Sequence, residues 1–192
     1  VYGDIVQENF IDSYRNLSLK SVAIVRWVSL YCPGSTFVIK ADDDMYINMA
    51  YMTVSLRDKL RETPIFIMGM VNKDKTPYRF PNHKWFVPVN QFNESVYPDY
   101  VSGTAYSMTT TAALRLYVES FYVRPIYMED AYLTGILARN VGVPRLHHPL
   151  FFGHRKLNAT GCFFRDKISG HENSPEEIRK IHRELLDSNL KC

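Results

Sequence analysis

Apolar residues recur at helical spacing across Leu17–Tyr31, with Leu17, Ile24, Val28 and Tyr31 on one stripe and Val25 and Trp27 beside it. That pattern predicts an amphipathic helix whose stripe faces a core. Residues 37–41 are short, apolar and β-branched after the turn residues Pro33-Gly34-Ser35, which predicts a buried strand. A second helix is expected over residues 49–60 and a second strand over 65–70, with a short strand at Asp4-Ile5-Val6. Prolines keep residues 78–88 out of a central strand and point to an edge hairpin or a binding loop. Tyr97-Pro98-Asp99-Tyr100 then turns into a strand through Tyr106, and Thr109 is placed to cap a helix over 111–120. Glu129-Asp130 opens a helix to about residue 140, with Leu133, Ile136 and Leu137 inward and Gly142 ending it. His147-His148 closes a further strand. Ser174-Pro175-Glu176-Glu177 combines an N-cap serine, a proline at the first helical position and a capping-box glutamate, so a last helix runs to about Asp187 with Ile178, Ile181, Leu185 and His182 inward.

The length of 192 residues suits one domain, and 46% hydrophobic with 22% charged residues places the chain among globular proteins. A net charge of +3 with scattered basic residues gives no electrostatic footprint for nucleic acid. No apolar run approaches the roughly 18 residues of a membrane span. The chain opens at Val1 in what reads as the middle of a fold, so a fragment is expected. Asn16, Asn93 and Asn158 each begin an N-glycosylation acceptor pattern, which favours a secretory compartment where disulfides persist. Of the three cysteines, Cys162 and Cys192 are the expected pair, tying the tail to the preceding loop, although spacing does not establish connectivity.

Chemistry concentrates where the first predicted strand ends in Asp42-Asp43-Asp44. Three adjacent carboxylates repel one another unless a cation sits among them, and an all-oxygen site suits Mg²⁺ or Mn²⁺. The carboxyl end of a strand in an open α/β sheet is also where nucleotides bind. A solvated acidic turn would use the same residues. Tyr78 and Trp85 offer aromatic faces to a sugar ring, or simple packing. Ser102-Gly103 would let backbone approach a ligand closely. Glu129-Asp130 is either a helix-dipole pair or a general base whose pKa the helix N-terminus would lower. His147, His148, His154 and His171 show no zinc spacing.

Taken in order, Leu17-Ser18-Leu19-Lys20, Arg26-Trp27, Cys32-Pro33, Lys40-Ala41-Asp42-Asp43-Asp44, Lys84-Trp85-Phe86-Val87-Pro88, Tyr97-Pro98-Asp99-Tyr100-Val101-Ser102-Gly103, Glu129-Asp130-Ala131-Tyr132-Leu133-Thr134-Gly135 and His171 form a series over nearly the whole chain. The series resembles the β-1,3-galactosyltransferase and β-1,3-N-acetylglucosaminyltransferase family of animal Golgi enzymes. That resemblance implies a GT-A-type α/β fold, a mixed central sheet flanked by helices. It implies that residues 1–192 are the C-terminal part of a lumenal catalytic domain, without the first nucleotide-binding units, the stem and the membrane anchor, and inactive by themselves. It further implies Mn²⁺, a UDP-sugar donor and a glycan acceptor on glycoprotein or glycolipid. Asp44 and His171 would hold the metal, with Asp42 on the ribose or a metal-bound water and Asp43 in support. Asp130 would be the base that deprotonates the acceptor, in one inversion giving a β-1,3 linkage. Lys84, Trp85, Ser102, Gly103 and Glu129 would line the donor and acceptor site. Against the family pattern, Val101 stands for a cysteine, so Cys32 is expected to lack its partner; Ala105 stands for a glycine, Asp99 for a proline and Ala131 for a valine.

Galactose is the expected sugar, with N-acetylglucosamine and N-acetylgalactosamine as alternatives, since no residue reads out the donor C2 substituent. Two other classes use the same residues. A non-catalytic glycan-binding protein would keep Trp85 and Tyr78 but has no need of the acid cluster. A phosphohydrolase would want a second metal-ligand cluster, for which Glu129-Asp130 is the one further candidate.

Overall fold

The computed structural model describes residues 3–153 and 158–192, so His154 lies outside the described residues. Helix α1 (Leu17–Tyr31) leads to β1 (Phe37–Ala41), β2 (Tyr46–Ile47), α2 (Met49–Glu62), β3 (Ile67–Asn72), β4 (Tyr100–Thr109) and α3 (Thr110–Glu119). A helical segment with π geometry (Ala131–Leu137) continues as α4 (Ala138–Asn140), followed by β5 (Arg145–His147), α5 (Gly161–Phe164), β6 (Ser169–Gly170) and α6 (Pro175–Leu186).

The main sheet runs β1-β4-β3-β5. β4 pairs antiparallel with both β1 and β3, while β3 pairs parallel with β5, so the sheet is mixed. Side chains alternate across it, as the pleat requires. Val38, Ile67, Tyr106 and Met108 pack with Val25 and Val28 of α1, Leu116 of α3 and Leu133 and Leu137 of the π segment. Phe66, Met68 and Ala105 turn to the other face and meet Met52 and Leu56 of α2, with Phe151 and Ile168. The result is the expected α/β arrangement, a mixed sheet with helices on both faces. A third, smaller cluster joins Tyr46, Phe164 and Ile181, with the Tyr46 and Phe164 rings edge-on at 5.1 Å. No helix among the described residues is long and apolar enough to cross a membrane.

The local signals act as expected at most element ends. Thr109 accepts from Ala112 N–H to cap α3, and Asn48, not singled out in the sequence, accepts at Oδ1 from Tyr51 N–H to cap α2. Ser174 and Glu177 form the capping box of α6. Gly142 sits at φ +66°, a left-handed position that favours glycine after a helix.

Four expectations are corrected. Asp4-Ile5-Val6 is not a strand; Ile5 is 88% exposed and has no partner strand among the described residues. The inward stripe of α1 is Ser18, Ser21, Val25 and Val28, while Tyr31 is exposed. Two serines can be buried there because Ser18 donates to the Ile126 carbonyl (2.5 Å) and Ser21 to Glu129 (2.6 Å). The helix after Asp130 is π rather than α over seven residues, all of them buried. Thr134 supplies a reason: its hydroxyl donates to the Asp130 carbonyl (2.7 Å) and accepts from Val101 N–H (2.8 Å), bonding that perturbs the i to i−4 ladder. Finally, His182 on α6 points outward. The 78–88 stretch is a loop carrying one isolated bridge, Tyr78 to Phe86.

Cys162 and Cys192 are disulfide-bonded across 30 residues, and Cys32 is a free, half-buried thiol. Closing a loop of that size restricts the unfolded chain. Cys162→Ser is expected to cost about 3 kcal/mol in denaturant unfolding without changing the fold of the main sheet. A variant within about 0.5 kcal/mol of the parent would show the tail to be unimportant for stability.

Candidate active site

The acidic triplet leaves β1 as a tight turn: Asp42 N–H donates to the Thr104 carbonyl (2.9 Å) and Met45 N–H to the Asp42 carbonyl (3.2 Å). The chain then enters β2, whose antiparallel pairing Tyr46↔Gly170 with β6 brings the residue after Gly170 back beside the triplet. His171 Nε2 therefore lies 3.2 Å from Asp44 Oδ2. Asp42, Asp44 and His171 each offer one ligand atom, all within 4.8 Å of one another. Asp43 is exposed and stands outside that group.

A second group forms where β4 meets the start of the π segment. Glu129 is 8% exposed, and its Oε1 accepts from Ser21 (2.6 Å) and from Tyr106 (2.8 Å). Asp130 is half-buried; one carboxyl oxygen accepts from Gly103 N–H (3.0 Å) and the other from Ala131 N–H (2.8 Å). A Cβ at Gly103 would be tight, 3.0 Å from Glu129 Oε2 and 3.3 Å from Asp130 Cβ, so a larger residue would press on both acids. Beside it, the Ser102 and Thr104 hydroxyls lie 3.3 Å apart.

Lys40 joins the two groups. Its ammonium donates to Asp42 Oδ1 and to the Gly103 carbonyl, 6.0 Å from the centre of the Tyr106 ring. Gly103 thus turns its carbonyl to Lys40 and its N–H to Asp130. Lys40 belongs to the triplet motif, but its role as a link was missed; a lysine in a short apolar strand was the available signal.

Burial raises the pKa of Glu129, the charge of Asp130 raises it further, and Lys40, Ser21 and Tyr106 offset part of the rise. Burial also raises Asp130, partly offset by the backbone N–H groups it accepts from and by Lys40. This corrects the expectation of a lowered value at a helix N-terminus: desolvation outweighs the backbone donors. For both acids the fold binds the proton more tightly than the unfolded chain does. Their contribution to stability is full below the ordinary carboxylate range and falls as pH rises through the raised values. Glu129→Gln is expected to flatten, not abolish, the loss of stability between about pH 5 and about pH 8, because Asp130 acts with the same sign. Denaturant midpoints across that range test it; an unchanged slope would mean that Glu129 is already ionised in the fold.

Lys84 and Trp85 both meet Tyr14, which the sequence did not single out. Trp85 Nε1–H donates to the Tyr14 hydroxyl (2.9 Å), and Lys84 Nζ lies 4.8 Å from the Tyr14 ring centre. Burial raises the Tyr14 pKa, the Trp85 bond offsets part of the rise, and the charges of Asp130, Asp42 and Glu129 add to it. One face of Tyr78 is covered by His83, stacked at 3.8 Å and 4°. Trp85 remains 41% exposed. Arg79 pins this loop by donating to the carbonyls of Val87, Phe92 and Glu94.

The donor set of Asp42, Asp44 and His171, two carboxylates and an imidazole, fits a divalent cation. Asp44 Oδ1 is buried with no hydrogen-bond donor among the described residues, an arrangement that a cation relieves.

A mixed α/β fold carrying a metal-type donor set beside a Glu-Asp pair defines a class of candidate α/β enzyme, and comparison with known proteins gives the family. The galactosyltransferase family profile matches residues 1–149. Beta-1,3-galactosyltransferase 5 of Homo sapiens is 35% identical over 97% of this chain and 60% of its own length. Beta-1,3-galactosyltransferase 1 of Mus musculus is 32% identical over 100% of this chain and 59% of its own. Lactosylceramide 1,3-N-acetyl-beta-D-glucosaminyltransferase of Xenopus tropicalis is 30% identical over 99% of this chain and 50% of its own. The chain belongs to the galactosyltransferase family. It spans between half and three-fifths of the length of these curated relatives.

Proposed function

We propose that this chain carries the chemical centre of an inverting β-1,3-hexosyltransferase that moves galactose from UDP-galactose to a hydroxyl of a glycoprotein or glycolipid glycan. The observation that carries the reading is the run Asp42–Lys40–Gly103–Asp130, which ties a metal-type donor set to a half-buried carboxylate. N-acetylglucosamine is the alternative donor sugar, favoured by the Xenopus relative's name. The resemblance drawn from the sequence motifs implies a membrane-anchored enzyme of the Golgi lumen, and the Cys162–Cys192 disulfide suits such an oxidising compartment.

In this mechanism Asp44 and His171 would hold Mn²⁺, with Asp42 beside them and Asp43 toward solvent in support. When bound, the cation neutralises charge on the leaving diphosphate. Asp130 takes the proton of the attacking acceptor hydroxyl. As that oxygen bonds to the anomeric carbon from one face, the bond to the diphosphate breaks on the other, and UDP leaves. One inversion needs one base and no covalent intermediate. The raised pKa of Asp130 makes it a stronger base than a surface aspartate, while Gly103 and Ala131 fix the direction of its carboxylate. Glu129 is held by Ser21 and Tyr106, behind Asp130 and against Gly103. Lys84, Trp85 and the Ser102-Gly103 turn line the approach.

The test is UDP release by the full-length lumenal chain with Mn²⁺ and a panel of UDP-sugars, with and without β-galactoside, β-N-acetylglucosaminide and xyloside acceptors. Acceptor-dependent release with one donor supports the reading and names the sugar. Phosphate release without acceptor would indicate a hydrolase. Donor and Mn²⁺ binding with no release from any acceptor would favour a glycan-binding protein, which a glycan array would then detect.

A further inference from the structure

Asn173 is 2% exposed and lies two residues beyond His171, where neither metal ligation nor helix capping uses it. Its backbone N–H donates to the Asp44 carbonyl (2.9 Å). Its side-chain Nδ2 donates to the Gly170 carbonyl (2.8 Å) and to the His171 carbonyl (3.4 Å). With two carbonyl oxygens facing Nδ2, the amide cannot be flipped, since that would set oxygen against oxygen. Between His171 and Asn173 the chain passes through Glu172 at φ +61°, a left-handed position costly for a residue with a Cβ. That turn sends His171 toward Asp44 and Asn173 inward. One residue thus ties the backbone on both sides of the Asp44–His171 contact.

Asn173 Oδ1 is left over: buried, an acceptor, and without a donor among the described residues. Asp44 Oδ1 is in the same condition. Two unpaired buried acceptors, in residues joined by one hydrogen bond, mark a locality short of positive charge and of donors. The two Nδ2 bonds tie the amide to the backbone around His171, while the unpaired Oδ1 has no such structural use.

We propose that Asn173 is a positioning residue for the divalent-cation site, holding His171 in ligating position against Asp44. The inference rests on the metal reading above and adds to it a residue that acts through His171 and not as a ligand.

Mn²⁺ affinity, read directly by the loss of the free-ion paramagnetic resonance signal in the presence of UDP, tests the proposal on the full-length lumenal chain. Asn173→Leu is expected to weaken Mn²⁺ binding roughly 10- to 100-fold, the range for residues that orient a ligand. His171→Ala should weaken it as well, and His171→Ala made on top of Asn173→Leu should add little, because the two losses are one. Asn173→Ala gives the same reading if leucine is not accommodated. Full Mn²⁺ affinity in both Asn173 variants, or a His171→Ala loss of undiminished size in their background, would overturn the proposal while leaving the metal site standing. Unchanged affinity in Asp44→Asn would remove the metal reading and this proposal together.

Discussion

Asp130→Asn is expected to lower the rate of sugar transfer by roughly 10²–10⁴-fold, the usual contribution of a positioned base. The asparagine fills nearly the same volume and can still accept one of the two backbone hydrogen bonds, from Gly103 or from Ala131. Its NH₂ group then meets the other N–H donor, which costs about 1 kcal/mol of stability. The variant should therefore fold and should bind UDP and Mn²⁺ as the parent does, since Asp130 lies outside the Asp42, Asp44 and His171 group. The pH dependence carries a second signature. With the Asp130 pKa raised by burial, transfer should climb with pH through a range above that of an ordinary aspartate, as the base becomes ionised. The residual activity of the asparagine variant should lack that limb. A variant that keeps the parent rate would assign proton removal elsewhere, with Glu129 the nearest carboxyl.

Asp44→Asn is the second large effect expected, and it should separate function from stability. One Asp44 oxygen faces His171 at 3.2 Å, and the other is buried without a donor. Removing the charge should weaken Mn²⁺ binding and reduce donor-dependent turnover by about 10²-fold or more, because a cation on the oxygens of the leaving diphosphate is worth several kcal/mol. In the metal-free protein the same change removes a carboxylate that repels Asp42 and is short of donors. Its thermal midpoint should be no lower than that of the parent, the pattern of a residue kept for function at a cost in stability. A lowered midpoint with unchanged Mn²⁺ affinity would make Asp44 a structural residue of the β2–β6 turn.

The features legible in the sequence were those set by neighbours along the chain. The helical spacing of α1, the β-branched run of β1, the Thr109 and Ser174 caps and the glycine after residue 140 are local energetics, and each lies within a residue or two of where it was expected. Local sequence also marked the acids themselves, because three adjacent carboxylates and a Glu-Asp pair are conspicuous wherever they fold. The ordered series of motifs marked the family, as the matches over nearly the whole chain bear out.

Tertiary structure alone decided what surrounds those acids. The pairing of β2 with β6, made by residues far apart in sequence, sets His171 on Asp44. The burial of Ser18 and Ser21 on α1 depends on acceptors more than a hundred residues away, so no periodicity in α1 could reveal it. The π geometry after Asp130 goes with a threonine bonded into β4, and the raised pKa of Asp130 follows from enclosure that a dipole argument on one helix does not contain. Lys40 reads from the sequence as one more residue of a strand; only the crossing of β1 with β4 turns it into the link between two acidic groups. Elements and residue chemistry were thus determined locally. Register, enclosure and the pairing of charges were not, because they are free energies of contacts between distant segments.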